Sequence, residues 1–315
     1  MTANEIKTGN IKTVYHPFRD EDRAPMAALR AAAAQADGHL GPDMRDQFDE
    51  MIAMTLAAPG VTYESSVVGG VSGWWCRPAG AMNDTAILYV HGGAYVVGSS
   101  QAYRHMAGQI AARANAAVFV VEYRLAPEHI FPAAVQDALA AYKGLAAQGS
   151  SRIAIVGDSA GGGLALVTLS LAVAEAKLGT VPYPRCAVAM SPWTDLSLSG
   201  ASIKDRAKAD PVLSGESLAA SADMYLNGHD VRDPLASPLF GNLTGLPAVS
   251  IHVGEDEILL DDSRRYAERI ADAGGEAGLN VWEGMTHVFP TSLGTFSASE
   301  SALDDIGSFL KERLG

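Results

Sequence analysis

The sequence predicts an α/β fold: about eight mostly parallel strands in one sheet, flanked by helices on both faces. Three observations carry this. Short, near-continuous apolar runs recur along the 315 residues, stretches with helical spacing separate them, and the two alternate from Val61 onward. Strands buried on both faces lose the in–out alternation of half-exposed sheets and read as unbroken apolar runs. Alternation with helices is what a parallel sheet covered on both sides requires.

The elements follow in order. Val61–Val68 and Val71–Arg77 flank Gly69-Gly70, a dipeptide suited to a two-residue hairpin, and form antiparallel strands at one edge. The later strands are Ala86–Val90, Ala117–Glu122, Ile153–Val156, Cys186–Met190, Val249–Val253 and Leu279–Trp282. Helical spacing covers Tyr103–Asn115, Pro132–Ala147, Ala160–Ala176, Asp261–Ala273 and Ser297–Leu314. Two segments fall outside the alternation. Residues 1–60 are expected to form an N-terminal helical cap segment, and residues 61–315 the main domain, with about 196–245 contributing to the cap. Both lie where they can cover the sheet's carboxyl edge, which is where open α/β sheets hold their sites. There is no internal repeat, and the alanine run at Ala31–Ala34 lies in a helical stretch.

Composition narrows the function classes. The chain is 48% hydrophobic and 19% charged, and its length can bury a large core. A net charge of −13 argues against nucleic acid, whose binding needs clustered Lys and Arg. Cys76 and Cys186 are the only cysteines, both in apolar runs, and read as buried free thiols. Met1–Asp20 has no apolar signal-peptide core, and Leu164–Ala176, the longest apolar candidate, is too short and too polar for a membrane span. A cytoplasmic protein without a membrane span is the expectation.

Three stretches carry chemistry. Gly157-Asp158-Ser159-Ala160-Gly161 follows a strand and opens an apolar helix. A serine at such a turn exposes its Oγ, flanking glycines let neighbouring backbone pass closely, and the helix N-terminus favours developing negative charge. A phosphate loop is the competing reading of Gly157–Gly163, but the Lys-Ser/Thr ending is missing. His91-Gly92-Gly93-Ala94 follows another strand, and consecutive small residues there leave backbone N–H groups of Gly92, Gly93 and Ala94 free to form an oxyanion hole. The N–H of Ala160, one past the serine, is a further donor. Of eight histidines, His287 follows the last strand and is the candidate base. His16, His39 and His229 lie in flanking or cap regions, His252 is inside a strand, His129 leads into a helix, and His91 is expected to hold the glycine loop in shape. The acid should fall between serine and histidine in chain order. Glu255, Asp256 and Glu257 leave the strand Val249–Val253 together, and spacing does not separate them, whereas Asp261 and Asp262 read as charges at the next helix N-terminus.

These motifs resemble the bacterial hormone-sensitive-lipase-like (family IV) esterases of the α/β-hydrolase fold. The matching stretches are His91–Ser99, Tyr123–His129, Gly157–Gly162, Asp233–Pro238, Gly254–Glu257 and His287–Phe289, spanning the chain from about residue 60 to its end. The resemblance implies a serine carboxylesterase with a helical cap, acting on short-chain acyl esters by a Ser-His-Asp mechanism. It places Asp256 as the acid beside Ser159 and His287, and Gly93, Ala94 and Ala160 as the main oxyanion donors. One departure is Ala94, where the family has a third glycine; only its N–H is needed, though the methyl group enters the loop. The mechanism needs no metal or cofactor, and the expected partner is a small-molecule ester, with lactones and acetylated small molecules as relatives of it. Asp158 is expected to steady the surrounding loops. Trp193, Leu213 and Phe289 are candidate pocket residues, with core packing as the alternative for each. A homodimer is compatible with the family pattern, with the terminal helix and the Leu279–Trp282 strand as its edge. Plant gibberellin receptors resemble this family but lack the histidine that His287 supplies here, and epoxide hydrolases and dehalogenases use a carboxylate where this chain has Ser159.

Overall fold

A computed structural model describes residues 4–34 and 40–315. His39 lies outside the described residues. The strands are β1 (Asn4–Thr8), β2 (Ile11–His16), β3 (Val61–Val68), β4 (Val71–Pro78), β5 (Thr85–Val90), β6 (Val118–Val121), β7 (Arg152–Asp158), β8 (Cys186–Met190), β9 (Val249–Gly254) and β10 (Ala277–Trp282). The helices are α1 (Arg23–Ala33), α2 (Arg45–Ala53), α3 (Ser100–Ala114), α4 (Ala133–Ala147), α5 (Ser159–Lys177), α6 (Ser202–Asp205), α7 (Gly215–Leu226), α8 (Leu260–Asp272) and α9 (Ser297–Leu314).

One sheet holds all ten strands in the order β1-β2-β10-β9-β8-β7-β5-β6-β4-β3. The run from β2 to β6 is parallel throughout, and antiparallel pairs close both ends. The central strands divide their side chains by parity, as a pleat demands. In β5, Ala86, Leu88 and Val90 enter the core under α4, α5 and α8, whereas Ile87 and Tyr89 enter the core under α3 and α9. Both faces are therefore dry, which is why β5 reads as an unbroken apolar run. The 19-residue α5 is long and apolar enough, by length and composition, to cross a membrane. Here it is a core helix, with every residue from Ser159 to Leu169 buried.

The structure corrects two expectations. Among the described residues the sheet has ten strands rather than about eight, because residues 1–60 are not purely helical: β1 and β2 form a hairpin that joins the sheet through β10. Their sequences, NEIKT and IKTVYH, interleave charged and apolar residues because β1 is exposed on both faces and β2 only half-buried, so the long apolar run that marks the central strands is missing. The edge expected at Leu279–Trp282 is also absent, since β10 is hydrogen-bonded to β9 on one side and β2 on the other.

Helices of both segments outside the alternation pack against loops that follow the parallel strands. α7 contributes Leu218, Ala222, Tyr225 and Leu226 to the main core, and Tyr225 stacks on Tyr95 with centroids 3.8 Å apart and planes 4° from parallel. Helix α1 sits on a third, smaller cluster, in which Met26 meets Trp282, Met285 and Phe289.

The hairpin at Gly69-Gly70 has φ of +62° and +82°, as a turn with two left-handed central residues requires. A Cβ at Gly69 would also lie 1.9 Å from the Ala140 carbonyl oxygen of α4, whereas one at Gly70 would meet open space. Gly70→Ala should therefore cost about 1 kcal/mol of backbone strain. Gly69→Ala should cost at least twice that, because helix and hairpin must separate as well; urea unfolding of both variants checks the order, and equal losses would show that α4 is not seated on this turn.

Candidate active site

The site is built where β5, β7, β8, β9 and β10 end. β7 runs into α5 through Asp158 and Ser159, and Ser159 has φ +54°. A non-glycine residue there is strained and persists only where its surroundings hold it. They do so by close backbone contact: a Cβ at Gly161 would fall 2.1 Å from the His91 carbonyl oxygen, so only glycine lets α5 approach the end of β5. The Ser159 carbonyl also accepts the Trp193 N–H at 3.0 Å. The result projects Oγ off the sheet edge.

His287 comes from the loop after β10, and its Nε2 lies 2.8 Å from Ser159 Oγ. The structure thus brings together two of the three residues expected from the sequence. It does not bring in the third. Asp256 turns away from the imidazole and pairs with Arg30 at 2.8 Å, with Arg206 4.0 Å away. Glu257, one residue on, points inward with no exposed surface, its Oε2 3.5 Å from His287 Nδ1. The physical reason is local. Past the end of β9, the Glu255 and Asp256 N–H groups bond to the Trp282 and Met285 carbonyls, and the turn they make sends residue 256 outward and residue 257 toward the core. Three adjacent acidic residues made this invisible to spacing.

Ser191 ties the Glu257 and His287 loops together. Its hydroxyl donates to Glu257 Oε2 at 2.8 Å and accepts the Val288 N–H at 3.0 Å, next to His287. Like Ser159, both Ser191 and Val288 have positive φ, at +47° and +51°. Sequence reasoning passed over Ser191, which directly follows the apolar strand β8. Its place at a strand's carboxyl end was the available signal. Burial pushes the His287 pKa down, but the facing carboxylate of Glu257 and the charges of Asp210 and Asp158 outweigh that, leaving it above the ordinary imidazole value of 6.5.

Opposite Ser159, the loop after β5 carries three consecutive positive φ values, at Gly93, Ala94 and Tyr95. Among the described residues, the Gly93 and Ala94 N–H groups donate to no protein acceptor. Ala160 lies in the first turn of α5, where N–H groups lack intrahelical acceptors. Gly92 departs from the expectation: its N–H is donated to Asp158 Oδ1 at 3.0 Å and is not free. That carboxylate, wholly buried, also accepts Tyr89 Oη at 2.8 Å and Tyr103 Oη at 3.1 Å. Tyr123 Oη donates to the His91 carbonyl, and the His91 ring stacks on Tyr123 at 4.2 Å. Arg45 of α2 adds outer support, bonding to the Val96 and Ala126 carbonyls and pairing with Glu128 at 2.7 Å. The stretch Tyr123–His129 therefore braces the glycine loop from behind.

The pocket candidates fare less well. Trp193 is fully buried with its indole N–H on the Asp195 carbonyl, and Phe289 is packed against Trp282, so both are core side chains and neither lines an open pocket. Leu213 keeps partial exposure in the segment after Asp210.

Residues 87–291 match a family described by the α/β-hydrolase fold. The chain is an α/β hydrolase. It is 41% identical over 250 residues to an acetyl-hydrolase of Streptomyces hygroscopicus, covering 79% of this chain and 82% of that one. An esterase of Acinetobacter venetianus is 35% identical over 276 residues, 86% of this chain and 89% of its own. Among solved structures, an esterase from the bacterial hormone-sensitive lipase family superposes with a TM-score of 0.87 at 38% identity, covering 95% of this chain and 99% of that one. This α/β hydrolase belongs with the hormone-sensitive-lipase-like esterases.

Asp158 offers a test that needs no substrate. Asp158→Ala in this hydrolase strands two tyrosine hydroxyls and one backbone N–H in a dry interior, which should cost about 3 kcal/mol or more. Chemical denaturation measures it, and a loss below about 1 kcal/mol would mean that the loop stands without this carboxylate.

Proposed function

We propose that the chain is a carboxylester hydrolase for short-chain acyl esters, with Ser159 as nucleophile, His287 as general base and Glu257 as the acid that orients it. The observation that carries this reading is the 2.8 Å contact between Ser159 Oγ and His287 Nε2 at a strained strand-to-helix turn. Unpaired N–H groups on the facing loop and the names of the relatives support it further.

The chemistry follows from the geometry. His287 Nε2 takes the Ser159 proton as Oγ attacks the ester carbonyl, and Glu257 stabilises the imidazolium that results. Negative charge developing on the carbonyl oxygen meets the N–H groups of Gly93, Ala94 and Ala160, already fixed before the reaction. His287 then protonates the departing alcohol, and a water, deprotonated by the same imidazole, releases the acid from Ser159. Asp256 has no part in the proton transfers. The caps formed by the N-terminal helices and the 196–245 segment set the limit on acyl length.

Hydrolysis of p-nitrophenyl esters from acetate to palmitate, run beside Ser159→Ala, tests the reading. Turnover should be highest on the shortest acyl chains and vanish in the variant. A folded wild-type protein inert on every chain length would sink the esterase assignment. Glu257→Gln should cut kcat about a hundredfold or more, as loss of the orienting carboxylate does in related triads.

The pH profile gives an independent check. The base works only when neutral, so kcat/KM should be low in acid and rise as pH passes through the His287 pKa. Because that value stands above 6.5, the midpoint should lie on the alkaline side of a free imidazole. In Glu257→Gln the midpoint should move to lower pH; an unchanged midpoint would remove Glu257 from the triad.

A further inference from the structure

Glu257 is held in place by its neighbours as much as by its own bonds. Arg30, on α1, donates one guanidinium nitrogen to Asp256 Oδ2 at 2.8 Å and the other to the Ala209 carbonyl. Asp210, the next residue, accepts the Ile258 N–H at 2.9 Å on one oxygen and the Val212 and Leu213 N–H groups at 2.8 and 3.0 Å on the other. Arg206 reaches Glu255 at 3.7 Å. Residues 255, 256 and 258 are thus each tied to α1 or to the 206–213 segment, while Glu257 between them faces Ser191 and His287.

We propose that Arg30 is a positioning residue: by bridging the Ala209 carbonyl and the Asp256 carboxylate, it fixes the acid loop so that Glu257 stays on His287. This rests on the esterase reading above. It also gives Asp256 a purpose distinct from that of the triad acid. A half-exposed ion pair alone contributes little. Arg30 differs because its planar fork joins two separate chain segments, which a lysine ammonium cannot reproduce. The contact it guards has no slack. Glu257 and His287 are already 3.5 Å apart, at the outer reach of a hydrogen bond, and small displacements of a catalytic group are costly. The charged groups acting on this pair are Asp210 and Asp158 near His287, and Arg30, Arg206 and Glu255 around Asp256.

The test compares Arg30→Ala, Arg30→Lys, Asp256→Asn, Arg30→Ala with Asp256→Asn, and Glu257→Gln in the full chain. Steady-state kinetics use p-nitrophenyl acetate across pH, and proton NMR follows the far-downfield His287 Nδ1–H resonance. Arg30→Ala should lower kcat about tenfold with KM nearly unchanged and move the acid limb to lower pH, in line with loosened alignment. Arg30→Lys should recover only part of the loss, and Asp256→Asn should match Arg30→Ala. The double variant should be no worse than either single one, as expected of partners in one contact. Glu257→Gln should fall below all of them. Wild-type kcat in Arg30→Ala, a change confined to KM, or additive losses in the double variant would each overturn the proposal. So would Asp256→Asn as inactive as Glu257→Gln, because Asp256 would then be the acid. If Arg30→Ala does not fold, Arg30→Lys and Asp256→Asn decide the matter. If the wild type turns over no ester, the functional reading fails separately, and the resonance still decides: retained unshifted in Arg30→Ala, it refutes the positioning role.

Discussion

The left-handed backbone at Ser159 is the constraint around which the rest is arranged. An L-residue at φ +54° gains nothing locally, so the conformation survives only because neighbouring chain leaves no alternative. Ala94, Tyr95, Ser191 and Val288 share it, and all four lie in the loops around Ser159. By contrast, Asn115 and Asn227 adopt it at helix C-termini, where it is ordinary. Unusual backbone is thus concentrated at the sheet's carboxyl edge, where five strand ends supply fixed attachment points. The glycine at 161 and the parallel sheet below it are what permit so many tight turns to meet.

Holding these turns falls to buried polar groups, each with its own task. Asp158 gathers two tyrosines and one N–H and thereby shapes the loop that faces the serine. Ser191 does the same between the acid and base loops with a single hydroxyl. Such groups are favourable only when paired, since an unpaired charge in a dry interior is costly. Their pairing explains how a site with three acidic side chains near one histidine stays ordered. The field they generate also raises the His287 pKa above the ordinary imidazole value.

Much of this was legible in the sequence, and the limits of legibility have physical causes. Ser159 and His287 could be found because a strand, a glycine-flanked turn and a helix leave a distinctive order of residues. The central strands could be found because burial on both faces forbids polar residues. β1 and β2 could not be, since exposure of β1 on both faces and partial exposure of β2 let charge into the run. Asp256 was the expected partner of His287, yet Glu257 faces it: Glu255, Asp256 and Glu257 differ only in the direction of one turn, and that direction is set by carbonyls of Trp282 and Met285, some thirty residues away. Ser191 was missed for a related reason: its partners are distant in sequence, and no local motif announces a hydroxyl that bridges two loops. For Trp193 and Phe289 the core alternative holds, because large aromatic residues near a site are as suited to the core as to a pocket.

The pairing of β2 with β10 has a consequence for the order in which the molecule can assemble. Ile11–His16 pair with Ala277–Trp282, a strand 266 residues further along the chain (277 − 11). Closing so long a span of chain carries a large entropic cost, repaid only when the intervening sheet is in place. The hairpin and helix α1 behind it must therefore wait, docking onto a surface the other strands have already built. Strand β10 brings His287 with it and pairs with the strand that leads to the segment bearing Arg30. The serine turn is local to β7 and α5, whereas the imidazole that faces it follows the strand that closes this long span.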